Sequence, residues 1–162
     1  YQAEKLESAL HVLSSLSSTF DIVEICGGSA RTSTMCVRKR LKVGKNFDLV
    51  TKSDLNDPYE QQLVVQNFID HKLLVAVMSP QCPAFGSHAN MNFHLTPSRF
   101  GTQGPDHCQF CGELALLQER NQRIFLLAHA KGSWLHEGYP WNIVCYLPTV
   151  LCITIHHCML GL

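Results

Sequence analysis

The sequence predicts an α/β domain with a mostly parallel sheet and helices on both faces. Short apolar segments of strand length alternate with longer segments whose apolar residues recur at helical spacing. This alternation is typical of parallel sheets, because each crossover through a helix returns the chain to the same edge of the sheet. With 162 residues, 46% of them apolar, the chain is large enough for one domain around a single core.

The first half of the chain is predicted to consist of three helices and three strands. Leucines recur at helical spacing in the leading segment, and Asp57-Pro58 is typical of a helix start, with Asp57 as N-cap. A glycine turn, Gly27-Gly28, separates the first strand from the second helix. The predicted elements are helix 1–19, strand 20–25, helix 30–41, strand 47–51, helix 58–70 and strand 73–78.

The second half is predicted to contain a long loop, a helix and further strands. Residues 87–105 lack periodicity and are rich in Asn, His, Gly and Pro, which is typical of a functional loop or an unstructured insert. Beyond it we expect helix 108–118, strand 123–128 and an apolar C-terminal segment, 142–162, with strands 143–146 and 150–155. We expect one domain over residues 1–162 that is a piece of a longer protein, because the chain stops on an apolar stretch.

Composition gives no support for strong nucleic-acid binding, and the cysteines indicate an intracellular protein. Charged residues make up 16% of the chain and the net charge is zero, whereas a domain that grips long nucleic acids is usually basic. Eight cysteines occur without a signal peptide, so we expect reduced thiols in a nuclear or cytoplasmic, not secreted, protein. Pro148 and His156-His157 argue against a membrane span in the apolar C-terminal segment.

Three predicted strand ends carry residues suited to a common site. Gly27-Gly28 follows the first strand, Asp54 the second and Cys82 the third, so all three are expected at one edge of the sheet. Glycines let a backbone approach a nucleotide-type ligand, and Asp54 has the spacing of an acid that contacts ribose hydroxyls. Glu24, just before the turn, is suited to hold a ligand's ammonium group. The alternative to ligand binding is a tight turn for the two glycines and a helix-capping or solvated role for Asp54.

Cys82 is the candidate nucleophile. It follows an apolar strand directly, and Pro80 and Pro83 restrict the backbone on both sides, so the thiol has few orientations available. A structural cysteine at a strand end is the alternative.

A zinc site is a third possibility, based on His107-Cys108-x-x-Cys111. A tetrahedral zinc site needs a fourth ligand, and nothing in the spacing selects one. A metal-dependent integrase core would need three clustered carboxylates, and Asp48, Asp54 and Asp57 have no partner glutamate at a strand or helix end.

Together these residues resemble the cytosine-C5 DNA methyltransferases. The segment Ser79-Pro80-Gln81-Cys82-Pro83-Ala84-Phe85-Gly86 matches that family's proline-cysteine loop at Ser, the first Pro, Cys and Phe, and Glu24-Ile25-Cys26-Gly27-Gly28 matches its glycine turn. The sequence is even more similar to methyltransferase-like segments of retrotransposon polyproteins of dinoflagellate-type algae. The resemblance covers about residues 20–135.

The resemblance implies a Rossmann-like fold of methyltransferase type and S-adenosylmethionine as cofactor, bound through Glu24, Gly27, Gly28, Asp54 and Pro80. It implies DNA as partner and Cys82 as the thiolate that attacks C6 of a cytosine swung out of the duplex.

One departure from the family favours a weakened enzyme. Ala128 stands where the family has a glutamate that contacts the cytosine ring, and His129 and Glu137 are the available substitutes. Loss of a general acid typically costs about two to four powers of ten in rate. A non-catalytic structural or nucleic-acid-contacting segment of a polyprotein is therefore the alternative function. The oligomeric state is left open.

Overall fold

The structure, a computed structural model, describes residues 19–80, 106–131 and 133–155. Helices separate its three strands. In chain order they are β1 (Ile22–Ile25), α1 (Arg31–Arg38), α2 (Pro58–Asp70), β2 (Val75–Met78), α3 (Asp106–Arg120), β3 (Ile124–Leu127) and α4 (Trp141–Val144), with 3₁₀ helices at Leu49–Thr51 and Trp134–Glu137. The predicted helix over 1–19, apart from Thr19, and the predicted loop over 87–105 lie outside the described residues.

The three strands form one parallel sheet in the order β1-β2-β3. Ile25 pairs with Met78, and Met78 pairs with Leu127, so the strands end level with one another. The predicted α/β class with parallel strands is confirmed for this part of the chain. Level strand ends bring the loops that follow β1, β2 and β3 to one edge of the sheet.

The two faces of the sheet meet different helices. On one face, Val23, Ile25, Ala76 and Met78 belong to a single buried cluster that includes apolar side chains of α2 and α3. Successive side chains of a strand point to opposite faces, so Glu24 lies on the other face, where it bonds to α1. Helices therefore contact both faces of the described sheet, as predicted.

Helix α2 begins as the sequence predicts. The side chain of Asp57 accepts the backbone N–H of Tyr59 at 2.9 Å, and Pro58 occupies the first turn, where its missing N–H costs no hydrogen bond. Val64 and Phe68 form the buried part of the helix.

The predicted strand over 47–51 is wrong. Val43 and Phe47 each form a single parallel bridge to β1, so the chain between them runs beside that strand. Leu49–Thr51, however, is a 3₁₀ helix. The cause is local. The side chain of Asp48 accepts the N–H of Val50 at 2.9 Å and the hydroxyl of Thr51 accepts the N–H of Asp48 at 3.2 Å, so side chains satisfy the backbone that a strand would pair.

The C-terminal strands predicted over 143–146 and 150–155 are also wrong. Trp141–Val144 is a helix, held by the buried indole of Trp141, whose Nε1 donates to the Cys108 carbonyl at 2.9 Å. Residues 151–155 have no regular structure and are exposed. They have no partner strand among the described residues, and an unpaired segment cannot form a stable strand. No helix in the described ranges is long and apolar enough to cross a membrane.

Candidate functional site

A cleft with a volume of about 140 Å³ opens at the carboxyl end of β1. Its apolar walls come from Leu49 and Leu55. Its polar lining consists of Cys26, Asp48, Ser53, Asp54, Asn56 and His107. Typical small-molecule sites measure about 300–1,000 Å³, so the cleft that the described residues form is smaller than a typical site for a whole ligand.

Hydrogen bonds connect the glycine turn to residues 46–48, which adjoin the segment beside β1. The N–H of Gly28 donates to Asp48 Oδ2 at 2.9 Å, and Asn46 Nδ2 donates to the Gly28 carbonyl at 3.0 Å. Gly28 has a φ of 54°, in the left-handed region that glycine adopts without strain. The turn and one wall of the cleft are thus a single hydrogen-bonded unit.

Gly27 is a glycine because of close packing. A Cβ at this position would lie 2.8 Å from Asn46 Oδ1 and 2.8 Å from the Cβ of Glu24. Backbone and side chains therefore approach each other here more closely than any larger residue allows.

Glu24 organises the start of α1. Its side chain is 3% exposed, and Oε2 accepts the N–H of Ser33 at 2.7 Å. The N-cap residue of α1, Ala30, provides no side-chain hydrogen bond, so Glu24 supplies both the acceptor and the negative charge that a helix N-terminus favours. Glu24 is not among the residues that line the cleft.

Two carboxylates line the cleft. Asp54 is exposed, and its Oδ1 accepts the backbone N–H and the side-chain Nδ2 of Asn56, each at 3.0 Å. Asp48 is the second carboxylate, and the sequence reading did not select it as a ligand-binding residue. Its spacing of three residues from Thr51 is the signal of a capping box that could have located it.

His107, in the first turn of α3, also lines the cleft, whereas the sequence indicated it only as a zinc ligand. Its Nδ1 lies 3.0 Å from Asn56 Oδ1. Burial lowers the pKa of His107, and the charges of Asp54 and Asp106 oppose that shift. Burial therefore favours the neutral imidazole.

The two cysteines that follow His107 face the core. Cys108 and Cys111 are 1% and 0% exposed. A hydrogen bond with Cys26, followed by burial, raises the pKa of Cys111 well above 9.0, so the thiol keeps its proton. The described ranges hold no group of three or more His, Cys, Asp or Glu side chains that could bind a metal ion.

Of the proline-cysteine loop, the structure describes Ser79 and Pro80. Ser79 donates its N–H to the Ile25 carbonyl at 3.0 Å, and Pro80 is fully buried at the end of β2. Pro80 is not among the residues that line the cleft. Cys82 lies outside the described residues, so its placement beside Gly27 and Asp54 stays a prediction.

Ala128, where the resemblance leads one to expect a glutamate, lies directly after the end of β3. Ala128 follows β3 and donates its N–H to the Met78 carbonyl at 3.0 Å, at the same edge of the sheet as the cleft. Next to it, the ring centroids of His129 and His136 are 6.1 Å apart, and burial lowers the pKa of His129.

A thiol–imidazole pair follows in the same region. The sulfur of Cys145 is 3.3 Å from Nδ1 of His136. Burial, together with Cys152, raises the pKa of Cys145, so this pair does not hold a thiolate at neutral pH.

The charge of the cleft limits its ligands. Its described lining includes the carboxylates of Asp48 and Asp54 and no lysine or arginine. Such a lining repels phosphate groups and attracts cations and hydrogen-bond donors. The fold and the cleft together define an α/β protein with an acidic cleft at the carboxyl edge of a parallel sheet. Comparison with family models, with curated proteins and with solved structures finds no match to this chain.

Proposed function

We propose that this chain has a Rossmann-like fold of methyltransferase type and binds S-adenosylmethionine in the cleft beside β1. The observation that carries the proposal is the acidic lining, Asp48 and Asp54 with no described basic residue. Common nucleotide cofactors carry phosphates, which this lining disfavours. S-adenosylmethionine is a nucleoside with a sulfonium cation and no phosphate, so its charge suits the site.

The residues present fit the nucleoside part of this cofactor. Ser53 lines the cleft, and its buried hydroxyl has no partner in the described chain, so a ligand that reaches it would supply the missing hydrogen bond. Asp54 provides an acceptor for ribose hydroxyls. Glu24, Gly27 and Gly28 support the site as one unit by fixing the turn and the start of α1.

The proposed reaction is transfer of a methyl group to C5 of cytosine in DNA. The bound cofactor would supply an electrophilic methyl group. The thiolate of Cys82 would form a bond to C6 of the base, which makes C5 nucleophilic; C5 would take the methyl group while S-adenosylhomocysteine leaves, and loss of the C5 proton to water would let the thiolate leave again. Duplex DNA hides C6, so the base must leave the stack. Ala128 provides no acid for the ring, which predicts a slow reaction.

Calorimetric titration with S-adenosylmethionine tests cofactor binding. We expect binding in the micromolar range, no binding of ADP under the same conditions, and a loss of about tenfold in affinity for Asp54→Asn. The matched control is Asp70→Asn, the same change at an exposed residue of α2 whose partner is Gln66. Absence of heat with S-adenosylmethionine at high micromolar concentration, or ADP binding of equal strength, would overturn the proposal.

The second candidate is a non-catalytic segment of a retroelement polyprotein. Ala128 favours it, because the position is at the sheet edge and carries no functional group. Methyl transfer to cytosine-containing DNA by Ala128→Glu separates the two functions. A gain of activity over the original chain indicates a degenerate enzyme, whereas no activity together with no cofactor binding indicates a scaffold.

A further inference from the structure

The orientation of the Asn56 side chain is fixed by its neighbours. Its Nδ2 donates to the carboxylate of Asp54 at 3.0 Å, which leaves Oδ1 on the other side. That oxygen accepts the backbone N–H of His107 at 3.3 Å. A backbone N–H is always a donor, so exchanging the amide oxygen and nitrogen would break both contacts.

This orientation determines which nitrogen of His107 carries the proton. Nδ1 lies 3.0 Å from Asn56 Oδ1, an oxygen that can only accept, so Nδ1 is the protonated nitrogen. In the neutral ring with this tautomer, Nε2 carries a lone pair. Nε2 is buried and has no hydrogen-bond partner among the described residues, although His107 lines the cleft.

Unsatisfied buried polar atoms indicate where a ligand supplies the missing hydrogen bonds. Two such atoms belong to residues that line this cleft, Nε2 of His107 and the hydroxyl oxygen of Ser53. Ser53 is fully buried, and a hydroxyl can donate or accept. With the apolar side chains of Leu49 and Leu55, the lining combines an obligatory acceptor, a hydroxyl and apolar walls, which suits an amino-substituted aromatic ring.

We propose that Nε2 of His107 accepts a hydrogen bond from the exocyclic amino group of a bound purine, so that the cleft selects 6-aminopurine over 6-oxopurine ligands. The inference rests on the proposed function, which assigns a nucleoside to this cleft. A 6-oxopurine presents an oxygen lone pair where the amino group would be. Two acceptors then face each other, and both lose a partner.

The first part of the test needs no ligand. A long-range ¹H–¹⁵N correlation spectrum of the histidine rings reports which nitrogen is protonated, and the spectrum of His107→Gln identifies the His107 signals. We expect a protonated Nδ1 and an unprotonated Nε2 at pH 7.5. A protonated Nε2 overturns the inference without bearing on the proposed function.

The second part compares S-adenosylhomocysteine with S-inosylhomocysteine by calorimetry. We expect the original chain to prefer the amino compound by about tenfold or more, and His107→Leu to lose that preference. His107→Gln retains an acceptor and should keep part of it. Gln109→Leu is the control, since Gln109 lies on the same helix outside the cleft and bonds to Glu113.

The outcomes separate this inference from the proposed function. Equal affinity for the two compounds, or an unchanged preference in His107→Leu, overturns the role of His107 while cofactor binding stands. If neither compound binds at millimolar concentration, both the inference and the proposed function are overturned.

Discussion

The carboxylate of Glu24 accepts the backbone N–H of Ser33 at 2.7 Å, and this contact joins the end of β1 to the first turn of α1. Residues of the intervening turn, Cys26, Gly28 and Ala30, all have positive φ. The two non-glycine residues among them are strained, and that strain is sustained by surrounding contacts. A single buried carboxylate thus anchors the helix that begins beside the candidate site.

Glu24→Ala is expected to lower the free energy of unfolding by about 1.5–3 kcal/mol, because a charge-assisted hydrogen bond at a buried helix terminus is lost. Glu24→Gln keeps an acceptor oxygen and should cost less. Urea denaturation followed by circular dichroism measures both. Glu60→Gln, in the first turn of α2, is the control and should change stability by less than about 0.5 kcal/mol. Equal stability of Glu24→Ala and the original chain would contradict this role.

Gly27→Ala is expected to destabilise the protein by about 1–3 kcal/mol through steric overlap. The added Cβ would lie 2.8 Å from Asn46 Oδ1 and from Glu24 Cβ. Gly138→Ala is the matched control, since its nearest neighbour would be 3.9 Å away. Thermal unfolding measures both, and the packing argument fails if the two variants are equally stable.

Gln118 is fully buried on α3, and its Nε2 donates to the Ile124 carbonyl at 2.9 Å. Gln118→Glu places a carboxylate beside backbone carbonyls, so we expect it to be less stable than Gln118→Met at pH 8. Protonation of the new acid restores a donor, so the difference in stability between the two variants should narrow as the pH falls toward about 4. Urea midpoints at several pH values test this. Gln122→Glu, on the surface, should show little pH-dependent loss.

Acidification is expected to destabilise the chain through His107 and His129. Burial holds the pKa of each below 6.5 in the folded state, so the unfolded chain binds more protons between the folded pKa and 6.5. Stability from these groups is fully present well above the unfolded pKa of 6.5 and decreases as the pH falls through 6.5 toward the lowered pKa values of the folded state. Urea midpoints from pH 7.5 downward measure the slope. In the double variant His107→Gln/His129→Gln, stability should depend less steeply on pH. An unchanged pH dependence would contradict the role of these two histidines.

Elements with strong local signals were predicted well. Asp57-Pro58 predicted the start of α2, and the apolar runs around β1, β2 and β3 predicted the strands to within a few residues. These signals depend on neighbouring residues, namely a cap, a proline and a continuous apolar segment.

The errors occurred where contacts between distant residues or unexpected side-chain bonds compete with propensity. Leu49–Thr51 has strand-like composition, yet the bonds of Asp48 turn the chain there. The apolar segment after Trp141 also reads as strand, but the indole contact with Cys108 fixes a helix, and no partner strand is available in the described chain.

The candidate site shows the same division. Sequence selected Asp54 as a wall of the site, whereas the contributions of Asp48, Ser53 and His107 depend on how segments far apart in the chain meet. His107 is 51 residues from Asn56, the residue that sets its tautomer. No spacing rule relates two such positions.

The amino-acid sequence by itself determined that parallel strands alternate with helices and that glycine and acidic residues follow their ends, because hydrophobic periodicity and turn chemistry are local properties. Only the tertiary structure decided that Glu24 holds a helix, that Asp48 faces the cleft, and that His107 lies beside Asn56. Those properties depend on burial and on hydrogen bonds between segments, which exist only after the sheet has assembled.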